Sequence, residues 1–180
     1  MSRNVIDSDM IPVSIDSIRV SLISPHRIVV LKDDDDRFLP IWIGVFESEA
    51  ITIALQGNQQ IARPLTHDLL KALIQEVRGK PVHIVVADLR DDTFYARIVI
   101  DFADRRVELD SRPSDAIALA VRLKIPIYVA EQVMDRAAIR PTPSLETPTP
   151  EEEEKLEAFR DLIEDLNLDD LGKGETPQGT

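Results

Sequence analysis

Between Thr93 and Phe102 apolar and polar residues alternate: Phe94, Ala96, Ile98, Ile100 and Phe102 fall on one side, Tyr95, Arg97, Val99 and Asp101 on the other. A period of two is the mark of a strand with one face in a core. Residues 82–89 form a second strand-like run, and Arg90-Asp91-Asp92 between the two makes them a hairpin. A chain that contains this hairpin must build a sheet and cover one face of it. The cover is also legible. Residues 66–78 place Leu69, Leu70, Leu73, Ile74 and Val77 on one helical face, with Thr66 as the expected N-cap and Gly79 as the expected stop. Residues 45–56 and 113–124 read as helices that are apolar around most of their circumference, which predicts burial.

The remaining segments extend the sheet. Val13, Ile15, Ile18, Val20 and Leu22 alternate with one slip, so 12–24 is expected to be a strand with a bulge. Residues 27–31 and 38–43 read as strands on either side of Asp33-Asp34-Asp35-Asp36. Those four acids lack the glycine and terminal glutamate of a calcium loop, so they are expected to form a solvated turn. Residues 106–110 and 127–129 are further short strands, and 131–138 a last helix. The expected fold is therefore α+β: a single compact domain of mostly antiparallel strands with several packed helices over 12–139, after a flexible stretch at 1–11. Proline recurs through 140–150 too often for helix or sheet hydrogen bonding, so that segment is a linker. Beyond it, 151–180 is an acidic tail. Its Leu156, Phe159, Leu162, Ile163 and Leu166 stand at helical spacing, as a solubilising tail or as an amphipathic helix that docks on the domain or on another protein.

Charge divides the same way. Of 33 acidic and 21 basic residues, 12 and 3 lie from Glu146 onward, so the domain before it is close to neutral. Its cations favour arginine, including Arg63, Arg97, Arg105, Arg106 and Arg112, the better side chain for forked phosphate contacts. A polyanionic partner is neither required nor excluded. The chain has no cysteine, which rules out disulfides, thiolate metal sites and a cysteine nucleophile. No apolar run reaches the ~18 to 20 residues of a membrane span, and the first ten residues lack the apolar stretch of a signal peptide, so the expected location is the cytoplasm.

Two segments could carry chemistry. In LTHDLL, His67 and Asp68 sit at a helix start, where unpaired backbone N–H groups favour an anion. In DSRPSDA, Asp110, Ser111, Arg112, Ser114 and Asp115 crowd a second helix start. A histidine beside carboxylates can move a proton, an arginine can clamp a phosphate, and carboxylates can hold a divalent ion such as magnesium or manganese. Plain helix capping explains the same residues. Glu47 and Glu49 interrupt an otherwise apolar helix, which points to a cleft or a subunit contact. Tyr95 and Arg97 line the polar side of their strand.

Taken in order, LPIWIGVFESEAITIALQG, RPLTHDLLKALI, DLRDDTFYARIVI and ELDSRPSDAIALAVRLKIPIYVAEQV resemble the bifunctional nuclease domain family over 12–138. The resemblance implies a compact α+β domain, self-associated with a dimer favoured, and nuclease activity on DNA and RNA. Its motif positions correspond to Glu47, Glu49, His67, Asp68, Asp88, Tyr95, Arg97, Asp110, Arg112, Ser114 and Asp115. We assign His67, Asp68, Asp110, Arg112 and Asp115 as the expected catalytic group, with Arg97, Tyr95 and Ser114 on the substrate. Glu47, Asp68, Asp110 and Asp115 are the candidate metal ligands. The alternative is a non-catalytic oligomeric binding or regulatory module.

Overall fold

The computed structural model describes residues 9–20, 26–57 and 61–140. The elements run β1 (Met10–Val20), β2 (Arg27–Lys32), β3 (Phe38–Ile43), α1 (Val45–Gln56), α2 (Thr66–Glu76), β4 (Lys80–Arg90), β5 (Thr93–Asp101), β6 (Arg106–Ser111), α3 (Pro113–Leu123), β7 (Ile127–Ala130) and α4 (Glu131–Ala137). The expected α+β fold is what forms. The linker and tail expected at 140–150 and 151–180 lie, apart from Arg140, outside the described residues, as do 1–8 and the end of the strand expected over 12–24. No described helix is long and apolar enough to cross a membrane.

The seven strands make one sheet in the order β3-β2-β1-β7-β4-β5-β6. Two antiparallel meanders, β1-β2-β3 and β4-β5-β6, are joined by β7, which runs antiparallel to β1 and parallel to β4. Strand β1 serves both: Met10 to Val13 pair with β7 and Ser14 to Val20 with β2, and the expected slip is a register shift between Ile15 and Ser17 within the β2 pairing. In the β4–β5 hairpin Arg90 pairs with Thr93, and Asp91 and Asp92 both take positive φ (44° and 59°). That is the two-residue turn whose twist suits a hairpin.

On one sheet face Ile84, Val86, Ala96, Ile98 and Ile100 meet α3, in which Ala116 to Ala120 are all fully buried. Deleting Ile117 or Leu119 to alanine would cost about 2 to 5 kcal/mol, the usual range for such a cavity. Helices α1 and α2 pack on α3 and bury less than their composition predicts. Helix α1 buries only Ser48 and Ile51 and leaves Phe46 and Leu55 in solvent. Helix α2 buries His67 and Ile74, while Leu69, Leu73 and Val77 are exposed. An all-round apolar sequence is buried only when a layer lies on both sides, and α3 alone has that here.

Local details also depart from expectation. The N-cap of α2 is Leu65, not Thr66, because Asp68 reaches back to accept the Leu65 N–H at 3.0 Å; leucine has no acceptor to return the bond. The left-handed residue after α2 is Arg78 (φ 59°), one before Gly79. Nor is the aspartate run wholly solvated. Asp33 is buried, accepts the Asp35 and Arg37 amides at 3.0 and 2.9 Å, and holds the Arg37 Nε at 2.6 Å.

Candidate active site at three helix starts

Each of α1, α2 and α3 begins after an extended residue, respectively Gly44, Leu65 and Arg112, and carries an acid in its first turn: Glu47, Asp68 and Asp115. Free N–H groups at such starts favour anions, so each acid is locally stabilised. Packing of α1 and α2 on α3 then brings the starts together. His67 Nε2 lies 3.2 Å from Asp115 Oδ1. Arg112 donates from Nε to Asp115 Oδ2 at 2.7 Å and from Nη2 to Asp115 Oδ1 at 3.1 Å. Its Nη1 lies 2.8 Å from Glu47 Oε1. Glu47, Arg112, Asp115 and His67 thus form one continuous chain of polar contacts across three helices.

The electrostatics assign different characters to these groups. Burial pushes the Asp115 carboxyl up, but its hydrogen bonds with Arg112 and His67 outweigh that and hold it below the usual carboxylate range. Asp115 is therefore a fixed anion rather than a proton carrier. Arg112 is held above its ordinary value chiefly by its hydrogen bond to Asp115. Three of its five N–H donors serve Asp115 and Glu47, which leaves two for another acceptor, and its side chain is 64% exposed. His67 is buried beside it, and Ser114 is buried in the first turn of α3.

Asp68 belongs to a second contact. Its Oδ1 accepts the Arg122 Nε at 2.7 Å, and Arg122 Nη1 donates to the carbonyls of Ala50 and Ala118 at 3.0 and 2.9 Å. Lys71 Nζ donates to the Arg122 carbonyl at 3.0 Å. One buried guanidinium thereby ties α1, α2 and α3 together next to the site. Burial raises the Asp68 carboxyl, and the Leu65 amide and Arg122 more than reverse it. Sequence reasoning missed Arg122, although a lone arginine inside an apolar helix signals a buried acid partner. It also missed Gly44, where a Cβ would fall within the Glu47 carboxylate, 3.0 Å from its Cδ.

The other expected residues stand elsewhere. Ala96 pairs with Ser111 and Arg97 with Asp110, so Arg97 and Asp110 share the sheet face opposite the helices. Asp88 and Tyr95 pair on that same outer face, where Arg90 bonds Asp88 and lies 5.1 Å over the Tyr95 ring. Arg97 is held by Glu108 at 2.9 Å. Glu49 is exposed on α1. Asp110, Tyr95 and Arg97 are thus not brought to His67. The candidate metal ligands do not fit a shared ion either. Glu47 and Asp115 are bridged by Arg112, Asp68 is engaged by Arg122, and Asp110 is on the other face; among the described residues no three His, Asp or Glu side chains gather to hold a metal.

Residues 29–142 match the bifunctional nuclease domain. A Mycobacterium tuberculosis protein described as uncharacterized is 36% identical over 157 residues, 86% of this chain and 93% of its own length. Bifunctional nuclease 1 of Arabidopsis thaliana is 34% identical over 134 residues, 71% of this chain and 41% of that protein. Bifunctional nuclease 1 of Oryza sativa subsp. japonica is 32% identical over 129 residues, 67% of this chain and 39% of that protein. The chain matches less than half the length of these plant relatives. It belongs to the bifunctional nuclease domain family.

Proposed function

We propose that this domain hydrolyses phosphodiester bonds of DNA and RNA at the three helix starts. The observation that carries the reading is the contact chain Glu47–Arg112–Asp115–His67, with a half-exposed guanidinium at its centre. The two remaining Arg112 donors and the N–H groups at the starts of α2 and α3 attract a phosphate. Asp115 orients His67 through Nε2, which leaves Nδ1 as the nitrogen that handles the proton. Water attacks phosphorus, its proton passes to His67, and the bond to the leaving oxygen breaks. That oxygen takes a proton from solvent. Positioned proton transfer of this kind contributes roughly 10²- to 10⁴-fold. Labelled single-stranded DNA and RNA, incubated with wild-type, His67→Ala and Asp115→Ala protein in magnesium, manganese or chelator, test it. Cleavage that persists undiminished in both variants would sink the site.

A second reading, a non-catalytic oligomeric module, is favoured by one observation. Leu69, Leu73 and Val77 form an exposed stripe along α2, 65%, 56% and 54% accessible, where a monomer would place polar residues. A homodimer that buries this stripe is the simplest assembly. Light scattering tests it: a strict monomer at micromolar concentration removes its support. Assembly and catalysis are compatible, so cleavage alone separates the two readings.

A further inference from the structure

Phe46 is 84% exposed, the most accessible of the large apolar side chains among the described residues. It occupies the first turn of α1 and is the immediate chain neighbour of Glu47, whose carboxylate holds Arg112. Val45 (41%), the first residue of α1, and Trp42 (60%), near the end of β3, are also exposed. An aromatic group in water forgoes the burial that would stabilise it, so an exposed ring one residue along α1 from the Glu47 that holds Arg112 calls for a use.

The charge of the domain supplies one. With 21 acidic and 18 basic residues before Glu146, it lacks the cationic excess that ordinarily drives nucleic-acid binding. Affinity for a polynucleotide then has to come from a non-ionic source. Aromatic side chains that stack on bases provide it, and they do so only for unpaired bases, since duplex bases already stack on one another. We propose that Phe46 is the stacking platform for an unpaired base next to the phosphate held at Arg112, and that it makes the site select single strands. The proposal deepens the nuclease reading and rests on it for the position of the phosphate.

Phe46→Leu keeps apolar bulk and removes the π face, while Phe46→Trp keeps the face. Both substitutions are at an exposed position and leave the fold intact, which circular dichroism checks. Cleavage of short oligothymidylate and oligouridylate should show KM raised roughly tenfold in Phe46→Leu with kcat unchanged, and wild-type values in Phe46→Trp. A fully paired hairpin should be a poor substrate for all three. Anisotropy of fluorescein-labelled oligothymidylate, with Asp115→Asn in each background, measures affinity apart from cleavage. Binding that weakens in Phe46→Leu while wild-type protein fails to cleave would keep the platform and discard the nuclease. Cleavage with KM and affinity unchanged in Phe46→Leu would discard the platform and keep the nuclease. A change of particle mass in Phe46→Leu by light scattering would assign the ring to a subunit contact and overturn the proposal.

Discussion

His67 Nε2 stands 3.2 Å from Asp115 Oδ1, a contact between residues 48 positions apart that joins the first turn of α2 to the first turn of α3. An anion held by two arginine bonds orients the imidazole. Asp115→Asn preserves shape and removes that charge. We expect the rate of phosphodiester cleavage to fall by roughly a hundredfold or more, while the folded domain loses only about 1 kcal/mol, because Arg112 is largely in solvent. Single-turnover cleavage and urea unfolding on the same preparation check the pair of effects; equal rates in wild type and variant would remove Asp115 from the mechanism.

Arg122 acts at one remove. Its side chain is only 5% exposed and its donors reach Asp68, Ala50 and Ala118. Arg122→Met keeps the apolar stem but leaves Asp68 without its cation, removes the second hydrogen bond of the Ala50 and Ala118 carbonyls, and loosens the start of α2 that carries His67. The expected cost is about 2 to 3 kcal/mol, discounted because Asp68 is 40% exposed. A urea midpoint that falls with an unchanged slope, together with reduced cleavage well below the melting range, is the expected outcome. An unshifted midpoint would mean that water replaces the guanidinium without penalty.

Much of this arrangement was readable because local pattern and final environment coincide. The period-two run of β5 admits one solution, and Ala96, Ile98 and Ile100 are buried accordingly. The two helix starts are likewise local features. Their meeting is not, because it depends on how α2 and α3 pack. Strand β7 has four residues and no period to read, so its place at the centre of the sheet could not be seen. Helix α1 looked buried because composition says nothing about whether a second layer will cover its outer side. The separation of Asp110 from His67 follows from parity: Ser111 pairs with the inward Ala96, so the residue before it faces outward.

Acid should weaken the domain in a defined window. Burial raises the Asp115 and Asp68 carboxyls, but their arginine partners leave both below the ordinary 3.8, so the folded state binds fewer protons than the unfolded state there. Their stabilisation is complete above that value and disappears as pH falls below it toward the folded pKa. The buried Asp33, lowered by Arg37 against its own burial, behaves the same way. Urea midpoints should therefore be insensitive to these groups from neutral pH down to about 5 and drop below about 4. In Asp115→Asn the acid limb should be shallower than in wild type; parallel limbs would show that Asp115 has no lowered pKa.

Gly44 offers a way to disturb the site without disturbing the core. A methyl group there would overlap the Glu47 carboxylate, 3.0 Å from its Cδ, and no backbone atom is among its nearest neighbours. The flexible end of Glu47 can swing away at little cost, and the φ of −72° suits alanine as well as glycine. Gly44→Ala should therefore change stability by less than about 1 kcal/mol, and the reduced freedom of the unfolded chain offsets part of that. What it cannot keep is the contact from Glu47 to Arg112 in its present geometry. If Glu47 holds the guanidinium toward the phosphate, cleavage falls, chiefly through a higher KM, while the urea midpoint stays near wild type. Glu47→Gln should then show the same KM effect with Gly44 intact, because the charge that fixes Arg112 is gone. Wild-type KM in both variants would leave Asp115 as sufficient to position Arg112 and would make Glu47 only a helix-dipole partner at the start of α1.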